Sequence, residues 1–204
     1  MKACRIAFAF VLILAVLVIG PGLGDRGRDG TVPGLAGSWA DAGETGAPGL
    51  KGGSAGSRLT TQEVRQLLTA HNRARAEVGT AALVWSDGLA RYAQEWADHL
   101  ASTRCGIEHR PRSGKWKKEY GENLFMGTAG YYGVSDAAAA WEKEKSAYHG
   151  EAIDMYNFYS FGHYTQLIWR DTRSIGCAKA QCGSNVIIVC NYDPPGNILG
   201  RRPY

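Results

Sequence analysis

Within residues 59–204 the sequence lacks a Cys-x-x-Cys pair, a Gly-x-Ser-x-Gly elbow and a His-Glu-x-x-His run. The first absence argues against a cysteine zinc knuckle. The second argues against a serine hydrolase built on a strand-turn-helix elbow. The third removes the helix-borne zinc site of many metalloproteases. Long apolar runs are nearly missing too. The only one, from Ile6 to Ile19, follows Lys2 and Arg5 and ends at Gly20-Pro21. A basic start, a short apolar centre and small breaking residues describe a secretory signal peptide, here residues 1–24, and the run is shorter than the ~20 residues of a spanning helix. Cysteine is scarce. Cys4 falls in the removed segment, which leaves Cys105, Cys177, Cys182 and Cys190. An even number in an exported chain argues for two disulfides and leaves no spare thiol as a nucleophile. Four cysteines allow three pairings, and the residues alone do not choose. The charge is mild, +4 with a pI near 8.8. It gives no reason to expect nucleic acid and allows only a loose attraction to acidic surfaces such as wall polymers or anionic lipids.

Residues 25–57 are rich in Gly, Ala, Ser, Asp and Arg and almost free of large apolar side chains. Such a segment cannot bury enough surface to offset its chain entropy, so a disordered linker is expected. Glycine recurs every third residue at Gly24, Gly27 and Gly30 and again at Gly43, Gly46, Gly49 and Gly52. The pattern is weakly collagen-like, but it breaks too often to hold a triple helix.

The folded domain is expected over residues 58–204. Thr60 and Glu63 read as a capping box opening a helix with Val64, Leu67, Leu68, His71, Ala74 and Val78 on one face, closed by Gly79. A second helix starts behind Ser86 or Asp87 and carries Leu89, Tyr92, Ala93, Trp96 and Leu100. Ser135 is read as the cap of a third helix running from about Asp136 to Tyr148, and a short fourth helix is expected from Tyr164 to Trp169. Ser174 to Ala180 and Asn185 to Tyr192 read as strands joined by a Gly183-Ser184 turn. Mixed helices and strands of this length make one α+β domain. The tail from Asp193 to Tyr204 is rich in Pro and Gly and reads as exposed and extended.

His109, Glu122, Glu144 and His163 are the candidate site. Two imidazoles and two carboxylates form a feasible divalent-metal set, with the histidines as ligands and the carboxylates as ligand, base or orienter. Spacing alone does not bring them together.

Larger motifs do point somewhere. Gly162-His163-Tyr164-Thr165-Gln166-Leu167-Ile168-Trp169 and Cys190-Asn191-Tyr192-Asp193-Pro194-Pro195-Gly196-Asn197 resemble the two signatures of the CAP superfamily (cysteine-rich secretory proteins, antigen 5, pathogenesis-related 1). His71-Asn72-x-x-Arg75, Leu83-x-Trp85, Tyr120-Gly121-Glu122-Asn123-Leu124 and Trp141-x-x-Glu144-Lys145 agree with it. The chain is most similar to the plant pathogenesis-related class 1 branch. The resemblance implies a three-layer α-β-α sandwich with a central antiparallel sheet. It implies disulfides Cys105–Cys182 and Cys177–Cys190. It also places His109, Glu122, Glu144 and His163 in one cleft able to hold zinc or another divalent ion weakly. Plant members usually carry six cysteines, with two in the loop before Gly162. Here residues 155–161, Met-Tyr-Asn-Phe-Tyr-Ser-Phe, have none. Aromatic packing is expected to hold this loop, with an apolar patch for a lipid as the alternative.

Three functions follow from the resemblance. The first is a secreted defence protein, monomeric and extracellular (apoplast or cell wall), that binds a sterol or other lipid. The second is release of a signalling peptide by cleavage between Asp193 and Pro194, freeing residues 194–204 for a receptor. The third, the alternative in which the chain is an enzyme, is a metal-dependent hydrolase with Glu122 or Glu144 as base.

Overall fold

A computed structural model describes residues 56–204. The expected signal peptide, residues 1–24, and nearly all of the expected linker, residues 25–57, lie outside the described residues. Thr60 accepts a hydrogen bond from the Glu63 backbone N–H while its own N–H donates to the Glu63 carboxylate. This reciprocal cap starts α1, Thr61–Glu77, and Gly79 at φ +69° turns the chain out of it. The side chain of Ser86 likewise caps α2, Asp87–Thr103.

Between these helices lies β1, Val84–Trp85; after α2 come β2, Gly121–Thr128, and then α3, Val134–Lys143. A 3₁₀ turn, Glu144–Ala147, leads towards α4, Phe158–Leu167, and the chain closes with β3, Ser174–Cys182, and β4, Asn185–Asp193. The sheet order is β1-β3-β4-β2. β2, β4 and β3 pair antiparallel, and the two-residue β1 joins β3 in parallel at the edge. The Gly183-Ser184 turn sets Cys182 opposite Asn185, and Gly183 adopts φ +55° as a tight hairpin requires.

Side-chain alternation along the strands builds the layers. Val186, Ile188, Cys190 and Tyr192 of β4 face the core made with α1, α3 and α4. Ile187 and Val189 face α2 with Leu124, Ala178 and Ala180. Covered on both sides, β4 reads as an unbroken β-branched run rather than an alternating one. The architecture is therefore the α-β-α sandwich of an α+β domain.

Four elements differ from the expectation. α3 starts two residues before the expected first helical residue, because the Asp136 carboxylate accepts the Gly133 N–H and Gly133, not Ser135, is the cap. That helix also ends at Lys143 and tightens to 3₁₀ at Glu144, short of Tyr148. α4 starts six residues before Tyr164: Asp154 and Asn157 bond each other's backbone N–H, and this turn launches the helix. β2 and β1 are additions, since neither announces itself by periodicity.

The His71-Asn72-x-x-Arg75 motif proves to be structural. Asn72 holds both backbone groups of Leu83. His71 bridges the Leu67 carbonyl and the Tyr192 hydroxyl. Arg75 is fully buried and donates to the carbonyls of Ala81, Leu167, Trp169 and Thr172. It thereby satisfies carbonyls at the C-terminal end of α4, where a cation is favoured. Burial lowers its pKa to about 10, which still leaves it charged.

Candidate functional site

Four elements deliver the four candidate residues, and they arrive as two pairs. His109 comes from the loop after α2 and Glu122 from β2; their Nδ1···Oε1 distance is 2.6 Å. Glu144 comes from the α3-to-3₁₀ junction and His163 from α4, and again Nδ1···Oε1 is 2.6 Å. The pairs differ in what else the carboxylate does. Glu122 has no exposed side-chain surface, accepts the Arg110 N–H, and keeps Oε2 buried without a hydrogen-bond partner. Glu144 is partly exposed, and its Oε2 accepts the backbone N–H groups of His163 and Tyr164. Those groups sit just past Phe161, whose φ of −149° kinks α4. Glu144 thus caps the second half of a broken helix while it orients His163.

His109, Glu122 and His163 open into one cleft of about 180 Å³, with Asn123, Phe158, Tyr159, Gly162 and Asn197 as the rest of its wall. Glu144 lies behind His163 and does not line it. Phe158 packs over Gly162, where an added Cβ would lie 2.9 Å from the ring. Gly162 is therefore a close-approach glycine. Trp141, buried and donating to the Leu124 carbonyl, lies parallel to the His163 ring at 6.4 Å. The nearby Gln166 and Tyr164 are core groups. Gln166 Oε1 accepts the Gly196 N–H. Tyr164 is buried with its pKa pushed up to about 12, first by burial and then by the charge at Tyr204.

The arrangement leaves each histidine with Nε2 as its nitrogen not engaged by a carboxylate. Among the described residues, no three His, Cys, Asp or Glu side chains gather closely enough to make a ready metal cage. Among the described residues, the hydrogen-bond partner of each histidine ring is a carboxylate rather than a hydroxyl or a thiol.

Sequence reasoning missed the tail's part in the site. Asp193 and Pro194 are exposed, but the residues beyond them are not an extended arm. Asn197, at φ +53°, donates to the Gly162 carbonyl and accepts from the Thr165 hydroxyl. Arg201 and Gly200 bond the backbone of Ile153, and Pro203 accepts from Arg170. The signal available beforehand was Asn197 itself, a residue type that tolerates positive φ. The four domain cysteines form Cys105–Cys182 and Cys177–Cys190. The cysteine-free loop divides its aromatics: Phe161 is buried against Tyr148 and Phe158 half-buried, whereas Met155, Tyr156 and Tyr159 are 71%, 91% and 84% exposed.

Residues 68–192 match the model of the cysteine-rich secretory protein family, CAP. The chain is 41% identical to pathogenesis-related protein 1C of Nicotiana tabacum, over 67% of this chain and 78% of that protein. It is 37% identical to pathogenesis-related protein 1 of Arabidopsis thaliana, over 72% and 86%. Among solved structures, BmVAL-1 is 25% identical with a TM-score of 0.61, covering 73% of this chain and 84% of that one. NaASP2, solved with Zn²⁺, is 23% identical with a TM-score of 0.62 over 72% and 86%. The second likeness speaks for the fold alone.

Proposed function

Because this chain belongs to the cysteine-rich secretory protein (CAP) family, we propose that it is a secreted, non-enzymatic defence protein of the pathogenesis-related class 1 kind that binds a sterol or similar lipid. One observation carries the binding role. Met155, Tyr156 and Tyr159 expose apolar and amphipathic surface, Tyr159 at the wall of the His–Glu cleft, while Phe158 and Phe161 hold the segment to the core. Exposed aromatics on an anchored segment are rigid contact area at low entropy cost. The cleft of about 180 Å³ is below the roughly 300 Å³ of an enclosing ligand site. A sterol therefore lies across the aromatic segment and reaches the cleft only with its polar end. Two disulfides support the secreted part of the reading. Saturable sterol binding by purified protein is the test; none, with the fold confirmed, removes the proposal.

A second reading concerns metal. The Nδ1–carboxylate bond of each pair fixes the tautomer that leaves Nε2 for a cation, the usual support of a ligating histidine. The unpartnered Glu122 Oε2 adds an acceptor beside the cleft. His109 and His163 would hold zinc or a related ion weakly, since two neutral ligands make an exchangeable site. When bound, the ion would supply Lewis acidity or an activated water. Calorimetric zinc titration reads this directly, and it requires loss of the heat in a His109→Ala/His163→Ala variant. A hydrolytic activity that persists in that variant would remove the hydrolase version.

Release of residues 194–204 is the third. It is favoured by the exposed Asp193–Pro194 junction and opposed by the hydrogen bonds that hold the tail. Mass spectrometry of secreted fluid should find the free fragment if it is made.

A further inference from the structure

The net charge of +4 looks diffuse only as an average. Residues 110–119, Arg-Pro-Arg-Ser-Gly-Lys-Trp-Lys-Lys-Glu, hold five of the 23 cations and one of the 19 anions. The rest of the chain is balanced at eighteen of each sign, so this single loop carries the whole excess.

The loop is held as a platform. Its base is closed by His109 Nδ1 and the Arg110 N–H, both on Glu122 Oε1. Arg110 is buried, lies 3.7 Å over the Tyr92 ring and donates to the Tyr92 carbonyl. The Tyr92 hydroxyl donates to the Lys117 carbonyl and accepts the Glu119 N–H. Across the loop, the Lys118 N–H meets the Pro111 carbonyl at 2.8 Å. Arg110 is thus spent on structure, and Lys118 is half-buried, with its pKa lowered, by burial first. Arg112, Lys115 and Lys117 are exposed. Among the described residues none of these three forms an ion pair; the nearby acids Glu95 and Glu108 face Arg110 and Arg104. Trp116 is half-buried between them, packed on His99 at 4.8 Å and on Trp96 at 5.7 Å.

We propose that residues 112–117 form a binding surface for a linear acidic polysaccharide of the uronate type. Three exposed cations within six residues of a tied-down loop, none in an ion pair among the described residues, suit carboxylates spaced along a chain, and the Arg112 guanidinium can take a carboxylate in bidentate fashion. Trp116 anchors this stretch to the domain, and the Lys115 ammonium lies 5.1 Å over its ring, which helps to hold that cation in place. A membrane fits less well. Bilayer adsorption needs apolar side chains that insert, and the loop's only aromatic is packed into its own protein. Anionic lipid is also concentrated on the cytoplasmic leaflet, which an exported chain does not meet. That last step rests on the secreted reading; the others do not. Because the loop is already ordered, binding does not have to order it, which favours even a modest electrostatic site.

The test uses the purified chain without its signal peptide and polygalacturonate as the probe, in calorimetry and affinity electrophoresis. Saturable binding is expected, weakening roughly tenfold or more between low and high salt, as exposed charges require. An Arg112→Gln/Lys115→Gln/Lys117→Gln variant should lose about tenfold in affinity with unchanged melting and unchanged sterol binding. A variant with the same charge loss elsewhere, Arg65→Gln/Arg91→Gln/Arg170→Gln, should bind like the parent. Equal weakening in both variants overturns the proposal in favour of bulk charge, as does no binding by the parent. Stronger retention on phosphatidylserine vesicles than on polygalacturonate, lost in the loop variant, overturns it in favour of a membrane partner. Sterol results stay separate, because the loop variant leaves residues 155–161 untouched.

Discussion

The two halves of the cleft reach the same His–Glu contact, 2.6 Å in each, by different means. The half around residues 105–122 is tied down covalently. Cys105 is bonded to Cys182, Arg110 is sandwiched among Tyr92, Trp96 and Trp116, and Glu122 is enclosed in a strand. The half around residues 144–163 has no cysteine. A kinked helix capped by Glu144 holds it, with Asn197 of the tail clamped onto Gly162. One half is built from burial, the other from hydrogen bonds that stay closer to solvent. The first should tolerate little change in its foundations, and the second should be the half whose surface varies.

Removing the covalent tie is the largest test of that contrast. Cys105→Ser/Cys182→Ser opens a loop of 77 residues and should cost about 4 kcal/mol in the chain-entropy model. Opening Cys177–Cys190, separated by 13 residues, should cost nearer 3 kcal/mol. Urea unfolding of both variants checks the order. Only the first variant should also loosen the His109 loop, visible as faster amide exchange over residues 106–120. Equal exchange in the two variants would show that the disulfide does not distinguish the halves.

His71 comes next and serves as a control belonging to neither half. Burial drives its pKa to about 4, with the Leu67 carbonyl opposing and the Arg75 charge reinforcing the shift. In the unfolded chain a histidine titrates near 6.5. Below that value the unfolded state binds more protons than the folded one, so stability is full above about pH 6.5 and falls until about pH 4. The loss should total about 3 kcal/mol. It should disappear in His71→Gln and persist in a His109→Ala/His163→Ala variant, as read from denaturation midpoints at a series of pH values. Persistence in His71→Gln would place the acid sensitivity elsewhere.

The pairs themselves give a smaller difference. His109→Ala strands a carboxylate with no exposed surface, left with the Arg110 N–H alone, at a cost of about 2 kcal/mol. His163→Ala leaves Glu144 partly exposed and still holding two backbone N–H groups, at a cost of about 1 kcal/mol. Equal costs would mean that burial does not separate the pairs.

Local chemistry decided what could be read from the chain. Thr60 with Glu63, Ser86, Gly79 and Gly183 each carry a boundary in their own side chain or in its absence, and the elements they bound stand where expected. α3 and α4 were misplaced because their ends depend on partners out of sight of periodicity. Asp136 reaches back to Gly133, and Glu144 is drawn away to cap the second half of the kinked α4 at His163 and Tyr164. β2 holds Gly121, Asn123 and Gly127 and takes its strand character from pairing with β4. The last of these glycines is needed because the Tyr132 ring would lie 2.7 Å from a Cβ there. The site residues were legible only through family resemblance, since each pair closes a gap of 13 or 19 residues without a shared motif. Asn197 entered the site through the fold of the tail; its residue type hints at a positive φ but not at its partners Gly162 and Thr165.

The smallest stability effect carries the sharpest functional one. Tyr156 and Tyr159 expose 91% and 84% of their surface, and no hydrogen bond involves either hydroxyl among the described residues. Replacing both by serine removes little buried area, so stability should shift by no more than about 0.5 kcal/mol. The loop keeps its anchors, Phe158 on Gly162 and Phe161 on Tyr148. If the hydrogen-bonded half is the variable, ligand-facing one, this double variant should lose most sterol binding in a vesicle or solution assay. Ile107, 51% exposed in the covalently tied half, supplies the matching control, and Ile107→Ser should bind as the parent does. Loss in both variants would indicate general surface apolarity, and loss in Ile107→Ser alone would assign the ligand to the other half. Loss confined to the tyrosines would show that the segment freed from a cysteine staple is the one that recognises the ligand.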